Sequence, residues 1–150
     1  MDIFSSMELE HEAIRGQFLK IQNLPINQIH AREEQFEQLK DAINLHLDTE
    51  EQTLYSVLNQ ILPRSRLLRE AREEHHLIRT QVEQLARIPL DESGWQERFE
   101  ALSHLFIRHT LQEEMDIFPQ AWNKLEASAQ ARPASYQSDN GMTPYPQPPN

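Results

Sequence analysis

Apolar residues recur every three or four positions in four segments of the chain, which is the spacing of amphipathic helices packed on one another. The first stripe consists of Phe4, Met7, His11, Ile14, Phe18 and Ile21. The second consists of Phe36, Leu39, Ile43, His46, Glu50, Thr53 and Val57. The third consists of Leu68, Ala71, His75, Ile78, Val82 and Leu85. The fourth consists of Phe99, Leu102, Phe106, His109, Glu113 and Asp116.

Prolines and a polar turn separate these segments. The first three stripes end near Pro25, Pro63 and Pro89, and proline does not fit inside a helix. Ser93, with Gln96 three residues later, resembles a capping box at the start of the fourth helix. No strand-like alternation competes with the helical pattern. The sequence therefore predicts an all-α fold, an up-and-down four-helix bundle, over residues 1–127.

The last part of the chain, residues 128–150, is rich in Ser, Gln, Ala and Pro. Such a segment buries too little apolar surface to offset the entropy lost on ordering, so we expect a disordered C-terminal tail. An alternative is that its proline-rich end forms a polyproline II segment that docks on a protein partner.

Charge and composition exclude several classes of function. The net charge of -10 disfavours nucleic acid and anionic membrane surfaces, because both recruit clusters of Lys and Arg. Cysteine is absent, so any metal must be bound by nitrogen and oxygen. Residues 1–4 lack the start of a signal peptide, and no stretch approaches the roughly 20 apolar residues of a membrane span. We therefore expect a cytoplasmic protein.

Two halves of the chain share a pattern of histidines and glutamates. The pattern E-H-x-x-I-R begins at Glu10 and again at Glu74. The pattern H-x-x-x-E-E-x-x-apolar-aromatic begins at His46 and again at His109. The distance in sequence between the two histidines of each half differs by a single residue. Both halves therefore deliver these groups at about the same height along a pair of helices.

The repeated residues form a candidate metal site. A histidine and a glutamate four residues apart lie on the same face of a helix, and the other two histidines occupy stripe positions that point at the bundle axis. A single histidine on an apolar stripe is more often a core residue than a ligand, but burying two carboxylates without a metal would cost several kcal/mol per ion. Imidazole and carboxylate ligands favour iron or manganese, and iron suits the set best. The predicted ligands are His11, His46, Glu50, His75, His109 and Glu113.

Other polar residues near the stripes invite alternative interpretations. His76 lies about 100 degrees around the helix from its neighbour and is not expected to be a ligand. His30 and His104 lie off the stripes and are expected at the surface. Glu51 either orients a ligand imidazole or lies on a solvated face. Tyr55 either fills the core or donates a hydrogen bond to a bound oxygen species.

The six predicted ligands, together with their spacing, resemble the twice-repeated His, His, Glu pattern of hemerythrin-like (HHE) cation-binding domains. The resemblance covers nearly all of the chain before the tail. It implies a di-iron centre, two Fe ions bridged by oxide or hydroxide, that binds or reacts with dioxygen, peroxide or nitric oxide as a sensor, scavenger or weak peroxidase. Ferritin-like bundles instead use Glu-x-x-His, in the reverse order and at a different spacing.

The chain departs from oxygen-carrying hemerythrins at two positions. Those proteins have a histidine where this chain has Arg79, and their last carboxylate corresponds to Glu114 rather than Glu113. The internal repeat favours Glu113, with Glu114 as an alternate or supporting group. The missing histidine leaves a more open iron and makes reversible oxygen transport less expected. Two other functions stay open: an iron-sensing or iron-buffering module whose stability depends on metal occupancy, and a plain helical interaction domain without metal.

Overall fold

The structure is a computed structural model that describes residues 2–130, and the side chains of residues 2–127 within them. Four helical rods run through this range, and it contains no strand. The first rod is α1 (Ile3–Asn23) and the third is α4 (Arg66–Ala86). The second consists of α2 (Ile29–Thr49), a π-helical segment (Glu50–Tyr55) and α3 (Ser56–Ile61). The fourth consists of α5 (Trp95–Gln112), a π-helical segment (Glu113–Ile117) and α6 (Phe118–Gln130). The predicted four-helix bundle is confirmed.

Side chains and a glycine define where the helices begin. Asp2 caps α1 by accepting a hydrogen bond from the Ser5 backbone N–H at 3.0 Å. Ser65 caps α4 in the same way by accepting from Leu68 at 3.2 Å. Helix α5 instead begins after Gly94, whose φ of 94° lies in the left-handed region that favours glycine. The predicted capping box at Ser93 is therefore wrong.

The buried Arg32 explains what Gln96 does instead. The Arg32 guanidinium donates to the carbonyls of Ile21 at 3.2 Å and Leu24 at 3.1 Å, where α1 ends. Its other terminal nitrogen donates to Gln96 Oε1 at 2.6 Å. The guanidinium carbon also lies 5.5 Å from the Trp95 ring centroid, within the range of a cation–π contact. Arg32 therefore ties the ends of three rods together.

Two apolar clusters fill the core, one on each side of the six predicted ligands. Along α1, Phe4 and Met7 belong to one cluster and Ile14 and Phe18 to the other, with His11 between them. The buried residues of α1 and α4 are those of the first and third predicted stripes. The polar groups therefore form a single layer across an otherwise apolar bundle.

The second and fourth stripes are wrong beyond their glutamates. Thr53 and Val57 were expected in the core but are exposed, and Leu54 and Leu58 are buried in their place. In the fourth rod Asp116 is exposed as well. The cause is the π-helical segment that begins at each glutamate, because its wider turn moves the inward face one residue further along the chain.

The last residues that the structure describes extend the fourth rod. Helix α6 continues to Gln130, and the remainder of the predicted tail, residues 131–150, lies outside the described residues. Among the helices of residues 2–130, none combines the length and the apolar character needed to cross a lipid bilayer.

Candidate metal centre

The structure brings all six predicted ligands together at the centre of the bundle. Each is at most 2 % exposed, and every rod contributes at least one. Ligand atoms of Glu50, His75, His109 and Glu113 lie within 4.8 Å of one another, as do those of His11, His46 and Glu50. Glu50 belongs to both groups, so its two oxygens can face two different metal ions.

The Nε2 atoms of the four histidines point inward at the two glutamates. His75 Nε2 lies 2.8 Å from Glu50 Oε1, and His46 Nε2 lies 3.4 Å from Glu50 Oε2. His109 Nε2 lies 3.3 Å from Glu113 Oε1. His11 Nε2 lies 3.3 Å from an oxygen of each glutamate. Both carboxylates are therefore surrounded by imidazole nitrogens.

The Nδ1 atoms of the same histidines all point outward, and each meets a further glutamate. We call these four partners the outer carboxylates: Glu114 for His11 at 2.7 Å, Glu10 for His46 at 2.7 Å, Glu51 for His75 at 2.8 Å and Glu74 for His109 at 2.9 Å. A carboxylate at Nδ1 holds the proton on that nitrogen and leaves Nε2 free to bind a metal.

The internal repeat accounts for all four outer carboxylates. Glu10 and Glu74 each precede the helix histidine of their half, whereas Glu51 and Glu114 each follow the central glutamate. Sequence reasoning considered Glu51 and Glu114 for a supporting role but gave none to Glu10 or Glu74. The repeated E of E-H-x-x-I-R was the available signal.

The arginine of the same motif supports two of the outer carboxylates. Arg15 donates to Glu114 at 3.1 Å and to the Thr110 hydroxyl at 3.0 Å. Arg79 donates to Glu51 at 3.2 Å and to Asp48 at 2.7 Å. Arg79 therefore points away from the centre, and it fixes the carboxylate behind His75 rather than contributing a ligand.

The remaining sequence alternatives also have a place in the structure. Glu113 lies inside the cluster and is fully buried, whereas Glu114 stands behind His11. His76 is exposed beside the buried His75, and the other two histidines predicted at the surface, His30 and His104, are exposed too.

Tyr55 breaks the symmetry between the two halves. Its hydroxyl donates to Glu113 Oε2 at 2.6 Å and lies 3.1 Å from His75 Nε2, so an additional oxygen faces the cluster. The ring stacks on His75 with centroids 4.7 Å apart. Phe118 occupies the corresponding place beside His11, at 6.1 Å, without a hydroxyl. Burial and the negative charge of Glu113 raise the Tyr55 pKa well above its usual value, so the phenol stays a donor.

Proton affinity in the cluster is strongly shifted. Burial lowers the pKa of His11, but the neighbouring carboxylates of Glu113, Glu114 and Glu50 outweigh it and raise the pKa to about 11. Burial likewise lowers the pKa of His109, but the negative charge of Glu113 outweighs burial and raises the pKa to about 10. Burial would raise the pKa of Glu50, but the surrounding imidazoles hold it well below its usual range. The site therefore attracts positive charge.

The donor set fits a metal better than it fits hydrogen bonds within the protein. His46 Nε2, His109 Nε2 and Glu113 Oε1 are buried without a hydrogen-bond partner. Buried polar atoms are normally satisfied, and these three all point at the centre. Nitrogen and carboxylate oxygen donors with no sulfur are those that iron and manganese prefer.

The π-helical segments place the two glutamates. One begins at Glu50 and the other at Glu113, and single π turns inside α-helices frequently occur at functional sites. Each wider turn also rotates the following aromatic residue, Tyr55 or Phe118, onto a histidine. The π-helical segments therefore place an aromatic ring beside one histidine in each half of the site.

Comparison with known proteins agrees with this geometry. The family model described as hemerythrin HHE cation-binding domain matches residues 2–121. Neither the curated proteins nor the solved structures give a match to the chain.

Proposed function

Because the chain belongs to the hemerythrin HHE cation-binding domain family, we propose that it holds two iron ions at Glu50 and Glu113 and binds or reduces a small oxidant. The observation that carries this proposal is the common orientation of the four imidazoles. Each Nδ1 atom meets a carboxylate on the outside, and each Nε2 atom faces the two central glutamates. A set of core histidines without a ligand would have no reason to share this arrangement.

The proposed ligands divide between two metal positions. His75 and His109 serve one position and His11 and His46 the other, because the two compact groups of ligand atoms separate in this way. Glu50 belongs to both groups, and Glu113 Oε1 approaches both His109 and His11 at 3.3 Å. Six protein ligands shared by two metals leave coordination positions free for an exogenous molecule.

The surroundings of the centre select the ligand. Two bound ferrous ions would supply electrons to dioxygen or hydrogen peroxide, or bind nitric oxide. The buried Ile14, Ile43, Ile78 and Phe106 line the layer above the histidines, and Phe106 lies 6.3 Å from the rings of both His11 and His46. An apolar wall excludes water and favours small neutral molecules over anionic metabolites. A sensor, a scavenger and a weak peroxidase are each compatible with these surroundings.

Metal analysis and rapid mixing test the proposal. We expect about two irons per chain by elemental analysis, as the ligand count requires. The reduced protein should change its absorption spectrum in a stopped-flow experiment with dioxygen, peroxide or nitric oxide. Glu50→Ala and Glu113→Ala should each lose iron and the spectral change. Saturation at one metal, or a reduced protein inert to all three oxidants, would refute the proposal.

A second candidate function is an iron-sensing or iron-buffering module. All four rods deliver ligands to one buried layer, so metal bound there would hold the bundle together. A ligand that binds only the folded state stabilises it by about 2.7 kcal/mol at 100 times its dissociation constant. Removal of iron by a chelator should then lower the melting temperature by many degrees while the reduced protein stays inert to oxidants. This pattern distinguishes the two functions.

A further inference from the structure

A cleft opens on the solvent side of Tyr55, between the second and third rods. Its volume is about 400 Å³, within the range of sites for small molecules. Tyr55 is the buried member of its lining, and its hydroxyl donates to Glu113. We call it the Tyr55 cleft, and it is lined by Glu51, Tyr55, Arg72, His76 and Arg79.

The Tyr55 cleft contains an arginine, Arg72, whose charge has no ion-pair partner within residues 2–127. Within residues 2–127, the side chains of Arg72 and His76 have no hydrogen-bond or ion-pair partner, and His76 accepts a hydrogen bond from Thr80 only through its backbone carbonyl. Glu51 is the one carboxylate among the lining residues, and it already accepts hydrogen bonds from His75 and Arg79. Two donors are therefore free to bind an anion, in a chain whose net charge is -10.

The other half of the bundle shows that the metal centre does not require Arg72 or His76. The corresponding positions, 64 residues earlier, are Glu8 for Arg72 and Glu12 for His76. That half nevertheless builds the same arginine–carboxylate–histidine chain, through Arg15. The two flanks of the centre thus carry opposite charge although their cores are alike. The metal centre therefore does not account for the presence of Arg72 and His76.

We propose that the Tyr55 cleft binds a small anion that carries a carboxylate or phosphate group. The planar guanidinium of Arg72 can donate two parallel hydrogen bonds to such a group. The His76 imidazole supplies a further N–H donor. Neither Arg72 nor His76 is a proposed iron ligand, so this inference stands apart from the proposed function.

Calorimetric titration of the iron-loaded protein tests the inference. The protein is titrated at low ionic strength with succinate, with inorganic phosphate and with sodium chloride as the control for general screening. We expect saturable binding of one molecule per chain for succinate, phosphate or both. The succinate and phosphate titrations show which group the cleft accepts, and chloride should give no saturable signal.

Two matched variants locate the site. Arg72→Gln should weaken binding about tenfold, because it removes a charge-assisted pair of hydrogen bonds. Arg66→Gln changes the same helix at a residue whose side chain is 78 % exposed and outside the cleft, and it should bind as the parent does. Iron content should stay unchanged in both variants. The inference is overturned if neither succinate nor phosphate saturates the parent, or if both variants weaken binding equally.

Discussion

Removal of the Tyr55 hydroxyl should destabilise the metal-free protein measurably. Tyr55→Phe deletes one oxygen atom, which donates to Glu113 Oε2 at 2.6 Å, and leaves the ring in place. The bundle accepts a phenylalanine at this kind of position, because Phe118 stacks on His11 at the matching place in the other half. The substitution therefore tests the hydrogen bond rather than the packing.

The structure sets the expected magnitude. Glu113 is fully buried, so water cannot replace the lost donor. A hydrogen bond to a charged group contributes about 1.5–3 kcal/mol. A domain of this size changes its melting temperature by about 2–4 °C per kcal/mol, so we expect a decrease of about 3–12 °C. The decrease should be smaller with iron bound, because the metal then offsets the charge of Glu113.

Thermal unfolding followed by circular dichroism measures the effect, with and without a chelator. Thr53→Val is the control, because it removes from the same π-helical segment an exposed hydroxyl that donates to the Thr49 carbonyl, where water can replace it, and should cost at most about 0.5 kcal/mol. The reasoning is refuted if Tyr55→Phe melts with the parent in the metal-free state, or if its decrease is as large with iron as without it.

Three further predictions address the ligands and their protons. His75→Ala should reduce metal content by about one iron per chain, whereas His76→Ala should retain both, as elemental analysis will show. Glu74→Gln should weaken iron binding about 10- to 100-fold in a chelator competition, because it removes the acceptor behind His109. The pKa values of His11 (about 11) and His109 (about 10) lie above the ordinary value of 6.5. Their contribution to the stability of the metal-free protein is therefore complete below that value and is lost as the pH rises through about 10 to 11. A melting temperature of the metal-free protein that does not fall in that range would contradict this reasoning.

The sequence predicted the bundle and the convergence of six side chains because two periodic signals agreed. The apolar stripe gave the inward face of each helix, and the internal repeat selected the polar residues that share it. His75 and His76 show the strength of this combination: they are adjacent, yet one is buried and the other exposed. That the six residues bind metal stays a prediction, and the titrations and variants above test it.

Helical periodicity failed where the backbone leaves the α-helix. A constant period placed Thr53 and Asp116 in the core, but each π-helical segment adds a residue to one turn and moves the stripe to Leu54 and Ile117. No residue type in these segments specifies a π turn. The π turn allows both Glu50 and the following apolar residues to face inward. This need arises from the packing of the rods and not from the sequence of one helix.

The histidine partner of each outer carboxylate could not be predicted, for a different reason. Each lies on another rod than the histidine it holds, and two of the contacts join opposite halves of the repeat: Glu114 with His11, and Glu51 with His75. Spacing along one helix cannot reveal such a contact. It depends on which rods are neighbours and on their relative height, which only the fold fixes.

The charges around the centre indicate how binding of the two proposed metals is linked to the loss of imidazole protons. The central glutamates and the outer carboxylates are negative, while Arg15 and Arg79 each offset one outer carboxylate. Arg108 reaches another at 3.4 Å, but it is largely exposed and water screens it. Two dications can balance what remains, and protons on His11, His46 and His109, whose pKa values are raised, can balance part of it. One dication alone would leave buried negative charge that imidazole protons must still neutralise. Since those protons occupy the nitrogens of the second metal position, binding of the second ion should displace them as iron content rises.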